Sequence, residues 1–219
     1  SLHDALPISA PAPWLGRFDA SDHARTLAST EPHWNYAMGQ VTPALVQALA
    51  GRYDESVRYV DHFAGEFLTR ALQLLGPDTV VIVTADHGES FRHGYGAHTG
   101  PGLYDEIIHI PLIIKLPDQT QGRRCAALAG QVDIAPTLAG GAGTQPPALW
   151  EGHSLLGACQ AASASATPAA GASPLSAAAL NAPVFSMNFE QNPRYAALKT
   201  GSIAVIDGRW KLVHRSEER

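Results

Sequence analysis

The chain has 219 residues, 45% of them hydrophobic, and a formal net charge of −5. That is the size of one domain, or of part of a larger one, with enough apolar residues for a substantial core. The acidic balance and the lack of a basic patch exclude a nucleic-acid binder. No apolar run approaches the roughly 20 residues of a membrane-spanning helix.

Residues 1–9 begin without methionine and read as a truncated end with foreign sequence, as do residues 215–219. No secretion signal is readable at the start, so the compartment stays unknown, and a signal peptide or anchor upstream is compatible with the sequence. Residues 10–40, rich in Pro, His and Trp without periodicity, read as a long ordered loop of the kind that is often functional. Thr42-Pro43 is an N-cap with proline at the first helical position, which predicts a short helix to about Ala50. Tyr53, Val57, Val60, Ala64, Phe67, Ala71 and Leu74 then recur at steps of three or four. They predict a second, amphipathic helix that packs on a sheet and ends at Gly76-Pro77.

Val80-Val81-Ile82-Val83 is a short β-branched run bounded by Gly76-Pro77-Asp78. It reads as a buried parallel strand covered on both faces. The run ends in Asp86-His87-Gly88-Glu89. Ligands in open α/β sheets sit just beyond the carboxyl ends of strands. A carboxylate and an imidazole there, beside a permissive glycine, suit a metal ion, although a polar turn that merely ends a strand has the same residues. A glycine-dense loop follows to Gly102, then one helical turn over Leu103–Ile108. Next come a second strand at Ile110–Ile114, with Pro111 at its entry, and a short helix over Asp133–Leu138 with Asp133 at the cap.

Residues 158–182 are dominated by Ala, Ser, Pro and Gly and read as a flexible excursion. Strand-like sequence returns at Val184–Phe189. Ser202–Ile206 and Trp210–His214 flank Asp207-Gly208, a strong hairpin signal. The two cysteines, Cys125 and Cys159, have no metal-like spacing and form one disulfide or none.

The motif order is informative. After Asp86-His87-Gly88-Glu89 come His93-Gly94, Leu103-Tyr104-Asp105-Glu106, and His109-Ile110-Pro111-Leu112-Ile113-Ile114. Val132-Asp133-Ile134-Ala135-Pro136-Thr137-Leu138 and Gly152-His153-Ser154-Leu155-Leu156 follow. This series, over roughly residues 50–157, resembles the sulfatase family of the alkaline-phosphatase superfamily. The C-terminal Gly208-Arg209-Trp210-Lys211-Leu212 resembles the family's small antiparallel sheet.

The resemblance implies an α/β fold: a mostly parallel sheet flanked by helices, with a small C-terminal antiparallel element. It divides the chain into residues 10–157, the C-terminal part of a catalytic domain, a linker or insertion at 158–182, and a strand element at 183–215. The implied activity is metal-dependent hydrolysis of sulfate esters, small-molecule or glycan. Phosphodiester or phosphonate hydrolysis, phosphoethanolamine transfer, and a non-catalytic sulfatase-like domain are the alternatives. Asp86 and His87 match one half of the family's metal site. Calcium prefers oxygen ligands and imidazole suits manganese or zinc, which ranks the ions Mn or Zn ahead of Ca.

His98 falls where relatives place a residue that contacts the substrate anion or the leaving oxygen, and an imidazole there can protonate a leaving alkoxide. His33, in Thr30-Glu31-Pro32-His33-Trp34-Asn35-Tyr36, matches a substrate-facing histidine, with Asn35 departing from the usual proline. His93 is a weaker candidate, Glu89 a partner that orients His87, Lys115 lies at the solvent end of its strand run, and His109 is structural. The family's Cys- or Ser-x-Pro-x-Arg nucleophile and its N-terminal acidic pair are not found, so the chain reads as the C-terminal half of a longer enzyme, inactive alone. Nothing in the sequence fixes its oligomeric state.

Overall fold

The computed structural model describes residues 10–22, 24, 42–93, 102–157, 182–189 and 199–216. Most of the Ala/Ser-rich excursion, and residues 25–40 of the loop expected over 10–40, therefore lie outside the described residues. The chain divides into two compact units. One falls within Ser1–Pro77, Thr84–Gly100 and Tyr104–Leu112, the other within Asp78–Val83, Pro101–Leu103 and Ile113–Arg219.

The first unit is built on helix α1, Pro43–Leu75. Its 33 residues make a rod of about 50 Å at 1.5 Å per residue. Thr42 caps the start, its Oγ1 accepting the Leu45 amide at 3.2 Å, and Pro43 stands at the first position where its missing N–H is harmless. The expected break near Ala50 does not occur, and the two predicted helices are one. Gly51 does not interrupt the helix, because the helix presses there against Asp19, closely enough that a Cβ on residue 51 would collide with the Asp19 side chain. Gly76, at φ +85°, ends α1 as its conformational freedom predicts.

Burial along α1 corrects the sequence reading further. The buried residues, Leu45, Ala48, Leu49, Gly51, Arg52 and Glu55, all lie in its first half. Leu45 and Leu49 form a small core with Tyr53 and Phe91. The apolar stripe farther on, including Val57, Val60, Phe67 and Leu74, is exposed. Trp14 meets Tyr59 and His62 at ring separations of 6.2 and 5.0 Å, which seats the 11–17 turns on the helix.

Helix α2 is a single turn, Asp105–Ile108, and Ile107 is its buried anchor. Strands β1, Val81–Thr84, and β2, Leu112–Lys115, form a two-stranded sheet. Neither is covered on both faces, since Val83 and Ile113 are exposed. A mostly parallel sheet is not shown among the described residues, where only this pair and one antiparallel sheet occur.

The second unit contains a 3-10 turn, Gln131–Asp133, running into helix α3, Ile134–Gly141. Asp133 stands at the expected junction but does not cap the helix with its side chain. Its carboxylate instead accepts the Gly130 amide at 2.8 Å and the His153 amide at 2.7 Å. Thr137 Oγ1 donates to the Asp133 carbonyl at 2.6 Å and accepts from the Leu155 amide at 2.9 Å. The Val-Asp-Ile-Ala-Pro-Thr and Gly-His-Ser-Leu motifs are therefore one hydrogen-bonded piece. Gly152 completes it by passing so near the Val132 carbonyl that no side chain fits.

Strands β3, Val184–Asn188, β4, Gly201–Asp207, and β5, Trp210–Ser216, form the antiparallel element that the hairpin signal predicts. The turn pairs Asp207 with Trp210. Ser202 and Ala204 face a buried side, whereas Phe185, Met187 and Leu212, brought into line by the register through Ile203 and Val205, are exposed or half-exposed. Arg215 and Ser216 are paired in β5, so the strand runs past residue 214. Cys125 is disulfide-bonded, the first of the two alternatives left by the sequence. No helix among the described residues is long and apolar enough to cross a membrane.

Candidate active site

The chain leaves β1 through Ala85 into Asp86, His87 and Gly88. Thr84, the last strand residue, is tied by its Oγ1 to the Pro111 carbonyl at 2.8 Å. At Gly88 the chain folds onto α2. The Gly88 amide donates to the Ile107 carbonyl at 2.7 Å, and the glycine's lack of a side chain lets the Glu106 carbonyl come close. Any Cβ there would overlap that oxygen.

This turn brings two adjacent side chains to one side. The His87 amide donates to Asp86 Oδ1 at 2.9 Å, which turns the carboxylate back over residue 87. Asp86 Oδ2 then lies 3.7 Å from His87 Nε2. His87 Nδ1 is 2.9 Å from the Gly88 carbonyl. A carbonyl oxygen only accepts, so Nδ1 carries the proton in this bond and Nε2 presents its lone pair. A carboxylate oxygen and an imidazole lone pair at this separation can share one ion at about 2.0–2.2 Å from each. Asp86 is 88% exposed and His87 43% exposed, so both are open to solvent. No cluster of three or more His, Cys, Asp or Glu able to hold a metal ion is found among the described residues.

The other expected site residues fall as follows. His98 and His33 lie outside the described residues. The partner that orients His87 through Nδ1 is the Gly88 carbonyl rather than a carboxylate. The Lys115 ammonium donates to the Thr79 and Leu116 carbonyls, both at 3.0 Å, a structural role in place of the solvent-facing one its strand position suggests. The His109 amide closes α2 on the Asp105 carbonyl. Tyr53, packed on Phe91 at 5.5 Å, has its phenol held above the ordinary value by burial, with Glu89 and Asp54 adding repulsion.

The sequence reading missed a cluster next to this turn. Glu106 Oε1 accepts from the Ser90 hydroxyl at 3.2 Å and meets His93 Nε2 at 2.9 Å. The His93 ring stacks on Tyr104, 3.8 Å between centroids and 9° from parallel. His93 adopts φ +60°, unusual for a residue with a side chain. The available signal was the spacing of His93-Gly94 and Tyr104-Asp105-Glu106 across the glycine-dense loop, which gives no pairing by itself.

Comparison with known proteins gives consistent results. The family profile described as Sulfatase matches residues 6–144. The uncharacterized sulfatase YidJ of Escherichia coli (strain K12) is 27% identical over 164 residues, covering 68% of this chain and 32% of that protein. Among solved structures, the phosphonate monoester hydrolase SpPMH from Silicibacter pomeroyi is similar with a TM-score of 0.62 and 22% identity, over 96% of this chain and 42% of its own. BT4656, solved in complex with its substrate D-glucosamine-2-N,6-O-disulfate, is similar with a TM-score of 0.54 and 23% identity, over 78% of this chain and 32% of its own. Both structural likenesses concern the fold. The chain spans about a third of the length of YidJ.

Proposed function

The chain belongs to the sulfatase family, and from that premise we propose that the protein hydrolyses sulfate esters, with Asp86 and His87 as two ligands of a divalent metal ion. The observation that carries this reading is the 3.7 Å separation of Asp86 Oδ2 and His87 Nε2, with Nδ1 engaged by a backbone carbonyl. A bound divalent ion supplies charge stabilisation at the ester oxygens as the bond to sulfur breaks. The remaining ligands come from outside the described residues. The imidazole favours Mn²⁺ or Zn²⁺ over Ca²⁺, which prefers oxygen alone.

The chain's own residues have distinct tasks in this reading. Asp86 brings negative charge to the ion, and the Gly88 carbonyl fixes the His87 tautomer so that Nε2 stays available. His98 protonates the leaving alkoxide, and His33 contacts the substrate anion. Residues 10–157 and 183–215 belong to one catalytic domain, interrupted by 158–182. β1 and β2 are strands of a mostly parallel sheet, whose further strands lie outside the described residues. The sulfated amino sugar bound by BT4656 favours a glycan or small-molecule sulfate ester as the substrate class. A second reading, phosphonate or phosphodiester hydrolysis, is favoured by the likeness to SpPMH, which extends over 96% of the chain.

The two readings separate in one assay. The chain is produced at the length of its relatives, with adjoining coding sequence, and given 4-nitrophenyl sulfate and a phenylphosphonate monoester. Faster sulfate-ester turnover that is lost on chelation supports the first reading, and a phosphonate preference the second. Turnover that survives Asp86→Ala and His87→Ala removes the proposed site. The 219-residue chain alone, lacking the Cys- or Ser-x-Pro-x-Arg motif, is expected to be inactive.

A further inference from the structure

We infer that Glu106 is a positioning residue for the Asp86–His87 end of β1, acting through Ser90 and His93; its functional consequence rests on the metal reading above. The segment that follows His87 is held to α2 at three points. At its start, the Gly88 amide bonds the Ile107 carbonyl at 2.7 Å. In its middle, the fully buried Ser90 gives its hydroxyl to Glu106 Oε1 at 3.2 Å. At its end, His93 Nε2 lies 2.9 Å from the same oxygen. One carboxylate oxygen thus holds two of the three points, and the backbone next to Glu106 holds the third.

The physical need for such a bracket is visible at both ends of the segment. Asp86 is almost fully exposed, so packing does not aim it, and its direction follows the backbone on either side. His93 sits in a left-handed conformation, which is unfavourable for a residue with a side chain and persists only when its surroundings enforce it. The Glu106 bond and the stack on Tyr104 supply that enforcement. Glu106 is itself only 26% exposed, so its bonds are partly shielded from water and stronger than those of a surface pair. Without them His93 relaxes, the turn loosens on α2, and Asp86 Oδ2 and His87 Nε2 lose their fixed separation.

The chemistry of Oε1 predicts which substitutions matter. Both bonds are accepted by one oxygen, so Glu106→Gln can keep both through its amide oxygen. Glu106→Asp keeps the charge but withdraws the oxygen by one methylene. Glu106→Ala removes the acceptor. The test uses the 219-residue chain and two readouts: Mn²⁺ affinity by calorimetry, and amide exchange at Gly88 by NMR. Glu66→Ala, on the exposed face of α1, is the control. Partners of metal ligands that lie outside the coordination shell typically change affinity 10–100-fold, and we expect at least about tenfold weaker Mn²⁺ binding for Glu106→Ala and Glu106→Asp. Glu106→Gln and Glu66→Ala stay near wild type. Gly88 exchange accelerates in the Ala and Asp variants, while the buried α1 amides near Leu49 do not change.

Unchanged Gly88 exchange in both the Ala and Asp variants overturns the inference whatever the metal does. Faster exchange with unchanged Mn²⁺ affinity also overturns it, because Glu106 then serves stability alone. If binding by the wild-type chain is too weak to measure, the same affinities are read in the longer protein that includes adjoining coding sequence; if that protein binds Mn²⁺ equally well without Asp86, the metal reading fails by itself, and the bracket is still judged by Gly88 exchange. If Glu106→Ala does not fold, Glu106→Asp gives the same comparison.

Discussion

At single positions, the decisive interactions are backbone amides held by side chains from elsewhere in the sequence. Asp133 is the clearest case. Read from sequence, it is a helix cap; in the structure its two oxygens satisfy the amides of Gly130 and His153. The position was legible and the partner was not, because His153 is 20 residues away and a local cap rule reaches only a few residues. Asp133 is buried, so its removal leaves two amide donors without acceptors, at about 1–3 kcal/mol each. Asp133→Ala should therefore destabilise the protein by roughly 2–6 kcal/mol in urea unfolding. Asp133→Asn, with one acceptor oxygen left, should fall about midway. A midpoint unchanged in Asp133→Ala would show that these bonds do not hold the two motifs together. Gly88 was likewise legible as a turn glycine, but that the Glu106 carbonyl needs its empty side is a fact of packing alone.

Among the elements, α1 shows what periodicity tells and what it does not. The Thr42-Pro43 start and the Gly76 stop are local chemistry and appear where the sequence predicts them. The expected end of a first helix near Ala50 does not occur, and Gly51, just past it, is a contact point for Asp19 within one continuous helix. The apolar stripe was read as a buried face, yet the buried part of α1 carries a charged pair. Arg52 Nη1 meets Glu55 Oε2 at 2.7 Å, the two side chains being 2% and 0% exposed. Glu55 Oε1 also accepts the Phe18 amide at 3.3 Å, while Arg52 Nε and Nη2 are buried without a hydrogen-bond partner among the described residues. Breaking such a pair from one side leaves an uncompensated buried charge, typically about 3–5 kcal/mol, whereas replacing both partners with apolar residues is far less harmful. Glu55→Leu should then lower stability by about that amount, and adding Arg52→Met should recover most of it. A thermal-melt series in which the double variant is worse than Glu55→Leu would refute the buried-pair description.

For the molecule as a whole, the family was legible and the sheet was not. The family followed from several motifs in fixed order, a property of sequence that no single contact changes, and the Sulfatase profile agrees over residues 6–144. The C-terminal hairpin followed from Asp207-Gly208, a turn signal that acts over two residues. The expected parallel sheet depends on strand partners, and β1 has only β2 among the described residues. The exposed apolar residues of α1 and β3 belong to a chain that spans about a third of the length of YidJ.

The proposed function turns on whether Asp86 and His87 bind metal. Two protein ligands rarely hold a divalent ion tightly, since complete sites supply three or more. Calorimetric titration with Mn²⁺ of the 219-residue chain, and of the longer protein that includes adjoining coding sequence, measures this directly. Weak one-site binding by the chain, much tighter binding by the longer protein, and loss of both with either Asp86→Ala or His87→Ala is the predicted result. A longer protein that binds Mn²⁺ equally well without either residue would contradict it.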